Sequence, residues 1–165
     1  MKIIAFVGHS DSGKTRLIAR LVPELKKRGL TMAIVKHCSH GFDLGSEDKD
    51  SSKFLAAGAD AVALAAPGQT AVLQNRDRDG NLAAFAREHF SMLDLVLVEG
   101  GKHDARLKKI EVLRHDHSER PQTPPQELAA VVADYNAVPD LPLFHPDQVK
   151  EIAEWLIRIL DLANP

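Results

Sequence analysis

The chain has 165 residues, enough for a domain that buries its own core without disulfide or metal support. Charged residues make up 27% of it and the formal net charge is −2, so it lacks the global basic field of a nucleic-acid binder. Cys38 is the only cysteine, which excludes an intrachain disulfide, and no apolar stretch approaches the roughly 18 residues of a membrane-spanning helix.

Residues 2–7, Lys-Ile-Ile-Ala-Phe-Val, form a short apolar run suited to a buried parallel strand. The run is too short for a signal peptide and Gly8 interrupts it, so a cytoplasmic protein is expected. Residues 8–15 then read Gly-His-Ser-Asp-Ser-Gly-Lys-Thr, which satisfies the G-x-x-x-x-G-K-[ST] pattern of a P-loop, or Walker A motif. In such a loop Gly8 and Gly13 let the backbone wrap closely round an anion, and successive N–H groups face phosphate oxygens. Ser10, Asp11, Ser12 and Arg16 complete the expected cradle. Lys14 is expected to reach the β- and γ-phosphates, and the Thr15 hydroxyl to ligate Mg²⁺.

Residues 16–28 carry Leu17, Ile18, Leu21, Val22 and Leu25 at helical spacing, with Gly29 as the stop and Pro23 predicting a break near residue 22. Residues 31–36 read as the second strand, closing a βαβ unit. Residues 37–48 are a long polar loop, and its length points to function. His37, Cys38 and His40 invite a zinc reading, but the segment holds too few ligands at zinc spacing. It reads better as a switch-like loop, with His37 or His40 available to phosphate and Asp43, Asp48 or Asp50 to magnesium. A helix is expected at 49–58, strands at 60–65 and 70–74 about a Pro67-Gly68 turn, and a helix at 81–90.

Residues 93–98 are the most apolar strand candidate, expected at the sheet centre, and deliver Glu99 in the manner of a Walker B carboxylate. Asp94 is the rival, but at ~3.3 Å per residue it lies about 16 Å away, near the opposite edge. Further strands are expected at 108–114 and 128–133, separated by a proline-rich surface loop at 115–127. Residues 147–162 form an amphipathic helix with Val149, Ile152, Ala153, Leu156, Ile159 and Leu160 inward.

Together these elements predict one domain spanning 1–165, an α/β fold of the P-loop NTPase kind. Its sheet is expected to be mostly parallel and doubly wound, with helices on both faces and some added antiparallel β structure. Ligands of such sheets gather beyond the carboxyl ends of the strands. That rule selects the P-loop, Lys36 and His37, Glu99 and Gly100, and Asp134. Lys14 and Glu99 are the catalytic candidates, and Thr15, Glu99 and Asp43 the metal candidates. Asp134, at a strand end, is the candidate to accept from the N1 and N2 hydrogens of guanine, although no Asn-Lys-x-Asp motif occurs.

The P-loop, Val35-Lys36-His37 with His40 and Phe42-Asp43, Lys49-Asp50-Ser51, Ala57-Gly58-Ala59-Asp60, residues 94–102, and Lys109-Ile110-Glu111-Val112 with Arg114 follow one another in order. This series resembles the molybdopterin-guanine dinucleotide biosynthesis adapter (MobB) family, from residue 3 to about 134. The resemblance implies a GTP-binding adapter of molybdenum cofactor maturation, a slow Mg²⁺-dependent GTPase, usually dimeric. It also implies as partners the guanylyltransferase that joins GMP to molybdopterin, and molybdopterin itself. Lys36, His37, Lys49, Asp50 and Lys102 match family motif positions. The chain departs from the family at Gly45 and Asp48, at Gly101 where an aromatic is usual, and at Ala133 where Thr or Ser is common. A P-loop kinase or ligase using ATP on a small metabolite is the alternative. Arg76, Arg78, Arg114 and Arg120 supply the arginines a lid would need.

Overall fold

The apolar run at the N-terminus becomes strand β1 (Lys2–Val7), whose last four residues are buried. A strand covered on both faces reads as continuous rather than alternating hydrophobicity, and β1 lies inside a parallel sheet for that reason. The structure, a computed structural model, describes residues 1–39, 41, 50–74, 81–115, 120–135 and 141–162. Helix α1 (Lys14–Lys26) follows the P-loop directly and starts two residues earlier than the periodicity suggests. It runs through Pro23 without a break, and the Lys27 N–H bonds Pro23 O at 3.0 Å. Gly29, at φ 77°, ends the turn that follows.

Strand β2 (Met32–Lys36) leads out of this βα unit. Helix α2 (Asp50–Ala56) and the antiparallel strands β3 (Ala61–Ala66) and β4 (Gln69–Gln74) come next. Helix α3 (Leu82–Phe90) is capped by the Asn81 side chain, which accepts from the Ala84 N–H at 2.8 Å. Strands β5 (Leu95–Glu99), β6 (Lys109–Val112), β7 (Leu128–Val132) and β8 (Leu143–Phe144), with a 3-10 turn at Pro125–Glu127, lead to helix α4 (Val149–Ile159).

Two compact units emerge, residues 38–80 and the remainder. The smaller holds α2 and the β3–β4 hairpin, a two-stranded sheet with Leu64 and Val72 exposed. The larger is a six-stranded sheet in the order β2-β5-β1-β6-β7-β8, every neighbouring pair parallel. Helices α1 and α4 cover one face, packing Leu17, Leu21, Leu25, Ile152 and Leu156 onto Ile4, Phe6, Leu97 and Ile110. Helix α3 covers the other, where Ala83 and Ala86 meet Ala5, Val7, Val96 and Val98. A mostly parallel, doubly wound P-loop α/β fold with an added antiparallel pair is thus the architecture.

Four expectations need correction. Strand β5 is interior but not at the middle of the sheet; that place belongs to β1 and β6. Strand β6 is shorter than the 108–114 expected, and its Lys109 and Glu111 are buried at 0% and 2% exposure. The two-residue β8 is too short to leave a sequence signal. In α4 the apolar stripe includes Trp155, while Ile159 remains 43% exposed past the edge of the sheet face.

Register aligns the carboxyl ends. Lys36 pairs with Glu99, Phe6 with both Glu99 and Ile110, Val112 with Val132, and Val132 with Phe144. The residues that follow these positions therefore share one edge.

Candidate functional site

The P-loop leaves β1 at Gly8 and enters α1 at Lys14. Gly8 has φ 141°, and a Cβ there would sit 2.3 Å from Val112 O, so no other residue fits against β6. Asp11 occupies the left-handed region at φ 61°, which aspartate tolerates better than most side chains. Ser10 is exposed at the tip and Ser12 is buried beneath it. The Lys14 ammonium lies across the loop. It donates to Gly8 O at 3.1 Å, to His9 O, and to Ser12 Oγ at 3.4 Å. Partial burial pulls its pKa below the usual lysine range; Lys36 adds to that, and Glu99 and Asp11 oppose it.

Thr15 Oγ1 donates to Glu99 Oε1 at 2.7 Å, bringing the Walker A hydroxyl and the strand-end carboxylate together. Lys36 Nζ stands 3.6 Å from the same oxygen. The two oxygens are hard donors side by side at the foot of the anion cradle, which fits Mg²⁺, an ion that keeps water and phosphate for most of its ligands. Asp43 lies outside the described residues, as do His40, Asp48 and Lys49. Asp94 is at the far end of β5, accepting from Thr31 N and Oγ1 at 2.7 Å, so it takes no part.

His37 and Gly100 are neighbours rather than separate reagents. The His37 N–H donates to Glu99 O at 2.9 Å, the Gly100 N–H to Phe6 O at 2.9 Å, and a Cβ at Gly100 would approach His37 Cβ to 3.2 Å. Gly101 explains the missing aromatic. The backbone there has φ 73°, which side chains rarely adopt, and a Cβ would press on Leu82 Cδ1 at 2.7 Å, so an aromatic would be strained at this position.

A cavity of about 250 Å³ adjoins the cradle, lined by Ser12, Gly13 and Arg16 of the loop and helix and by Arg114 and Asp134 beyond β6 and β7. Arg20, His145 and Asp147 are also among its lining residues. Arg114 stands over the loop, with its guanidinium 3.7 Å from where a Gly13 Cβ would be. The site reading from sequence does not include Arg114, although it follows β6 on the selected edge. His145 and Asp147 leave no sequence signal, because β8 itself is illegible.

A tether joins the loop to the segment before β7. Glu111 Oε1 and Oε2 accept from the Gln122 and Thr123 N–H groups, each at 2.9 Å. The Gln122 side chain takes a bond from Lys102 Nζ at 2.6 Å and meets His9 Nε2 at 2.8 Å. Residues 122–123 are therefore anchored rather than a free surface loop, and Lys102 faces Gln122. Residues 116–119 lie outside the described residues. Lys109 Nζ, buried nearby, donates to Asp104 O at 2.8 Å and pairs with Glu127, fixing the turn after Gly101. No helix among the described residues is long and apolar enough to cross a membrane.

Residues 3–134 match the family described as molybdopterin guanine dinucleotide synthesis protein B, MobB. The molybdopterin-guanine dinucleotide biosynthesis adapter protein of Escherichia coli strain K12 is 29% identical, over 98% of this chain and 95% of that protein. The protein of the same description from Haemophilus influenzae is 30% identical, over 93% and 86%. Among solved structures, a crystal structure of molybdopterin-guanine biosynthesis protein B superposes with a TM-score of 0.75 at 31% identity, covering 97% of this chain and 99% of that one. A MobB homologue from Bacillus stearothermophilus gives 0.69 at 25% identity, covering 99% and 100%.

Proposed function

Because the chain belongs to the MobB family, we propose that it is a GTP-binding adapter of molybdopterin guanine dinucleotide biosynthesis, with slow Mg²⁺-dependent GTP hydrolysis. The observation that carries the reading is the cavity beside the P-loop. Its lining includes Asp134 together with Arg16 and Arg114, groups complementary to a guanine edge and to phosphates, which supports a single site for both. A carboxylate accepts two hydrogens from the guanine edge, where adenine offers one donor and one acceptor.

Each residue then has a stated task. Gly8, Ser10, Asp11, Ser12 and Gly13 present backbone amides to the phosphates, and Lys14 exchanges its carbonyl partners for phosphate oxygens. Arg16 and Arg114 offset charge at the cradle's flank. Thr15 and Glu99 hold Mg²⁺, which when bound neutralises phosphate charge. Glu99 would also orient the attacking water, and Lys36 pairs with its carboxylate oxygen at 3.6 Å.

The proposed partners are the guanylyltransferase that joins GMP to molybdopterin, and molybdopterin. A homodimer is part of the proposal, supported by the β3–β4 hairpin with Leu64 and Val72 exposed, since strand edges and apolar faces seek cover. Calorimetric titration with GTP and then ATP, with and without Mg²⁺, tests the reading. GTP binding strengthened by Mg²⁺ is expected; a preference for ATP would overturn it in favour of a kinase or ligase.

A further inference from the structure

We propose that His145 is a specificity-determining residue that reads the 6-oxo group of the purine from the lining of the cavity beside the P-loop. This rests on the cavity being a guanine nucleotide site, and it adds the group that makes that site selective. Asp134 supplies only acceptors, and an acceptor set by itself does not recognise O6. A donor is needed one step along the same base edge.

The register puts one there. The Ala133 N–H donates to Phe144 O at 2.9 Å, so Asp134 and His145 leave adjacent parallel strands at nearly the same level. Neighbouring strands are ~4.8 Å apart, a spacing that suits contacts at the two ends of a purine's hydrogen-bonding edge. Both residues line the one cavity.

The backbone determines which face of the imidazole is the donor. The Asp147 N–H points at His145 Nδ1, 3.2 Å away, so in the neutral ring Nδ1 accepts and the proton sits on Nε2. If the ring is protonated, Nδ1 turns to the Asp147 carboxylate 3.7 Å away, and Nε2 still carries its hydrogen. Either state leaves Nε2 a donor. It satisfies the O6 of guanine and opposes the 6-amino group of adenine, two donors then facing each other.

The segment is also held still. The His145 N–H bonds Gln148 Oε1 at 2.7 Å, the Gln148 N–H bonds His145 O at 2.9 Å, and Arg20 clamps Pro146 O at 3.2 Å and Asp147 Oδ1 at 2.9 Å. These bonds fix the backbone that presents the ring, and the Asp147 N–H ties the ring itself, so less ordering is left to be done when a base binds.

The test uses the whole chain and three probes: GTP, 6-thio-GTP (which differs from GTP only at the 6-position) and 7-deaza-GTP. The wild-type protein is expected to bind 6-thio-GTP several-fold more weakly than GTP and 7-deaza-GTP about equally. His145→Phe is expected to weaken GTP about tenfold and to abolish the preference over 6-thio-GTP. His145→Gln, which keeps an N–H donor of similar reach, is expected to retain it. Circular dichroism verifies that each variant folds, and if His145→Phe does not, the Gln variant with the wild-type analogue series decides. A 6-thio penalty undiminished in His145→Phe, or a penalty found for 7-deaza-GTP instead, overturns the assignment. Failure of wild-type protein to bind GTP at all defeats the underlying site reading instead.

Discussion

Thr15 Oγ1 and Glu99 Oε1, 84 residues apart in sequence, are joined by a hydrogen bond of 2.7 Å. The contact exists because β5 pairs with β1 in a register that sets Glu99 beside Phe6, two residues before the P-loop begins. Glu99→Gln keeps the size and one acceptor but removes the charge. We expect hydrolysis in the presence of Mg²⁺ to fall by at least tenfold, about 1.4 kcal/mol, while Mg²⁺-free GTP affinity changes little. Single-turnover hydrolysis beside calorimetric titration checks both halves.

Lys14→Ala removes the side chain that spans the loop from Gly8 to Ser12. Nucleotide affinity is expected to drop below detection, with thermal stability near that of the wild type, because the ammonium is partly exposed and its burial is unfavourable. Unchanged GTP affinity in this variant would refute the site.

Asp134→Asn exchanges an acceptor for a donor at the position facing the 2-amino group. GTP affinity should fall at least tenfold and xanthosine triphosphate, with an oxygen at that position, should gain. Competition titrations with the two nucleotides read the exchange directly.

Glu111 is buried at 2% exposure and satisfies two backbone N–H groups of the segment before β7. Glu111→Ala strands both donors, and we expect a loss of about 2–4 kcal/mol in chemical denaturation. Gln122→Ala cuts only the more exposed side-chain bonds to Lys102 and His9, so its stability loss should be smaller.

Acid should weaken the fold through specific aspartates. The Thr31 hydroxyl and N–H hold the Asp94 carboxyl below its ordinary value, and bonds from the Arg106 side chain and backbone do the same at Asp104 against the opposing effect of burial. A folded-state pKa below the unfolded one contributes stability that is complete above the ordinary value of about 3.9. It is lost as pH falls through the lower folded values. Melting temperature should therefore decline as pH drops below about 4, and Asp94→Asn should flatten that decline.

Much of the fold was legible because its signals are local. The apolar runs of β1 and β5 and the glycine spacing of the P-loop each need only a few consecutive residues. Asp94 was separable from Glu99 by strand length alone. The buried charges of β6 were not legible, since nothing in the strand itself announces the partners of Lys109 and Glu111 at Asp104, Glu127, Gln122 and Thr123, which arrive from elsewhere in the chain.

By itself, then, the sequence determined that strand, Gly-rich loop and helix make an anion cradle, because backbone amides converge wherever that local pattern folds. It also determined which residues end the strands. Tertiary structure alone decided that Arg114, Asp134 and His145 line one cavity beside that cradle. Sheet order and register are long-range pairings, and a two-residue strand such as β8 acquires its place only from the Val131 and Val132 it lies against.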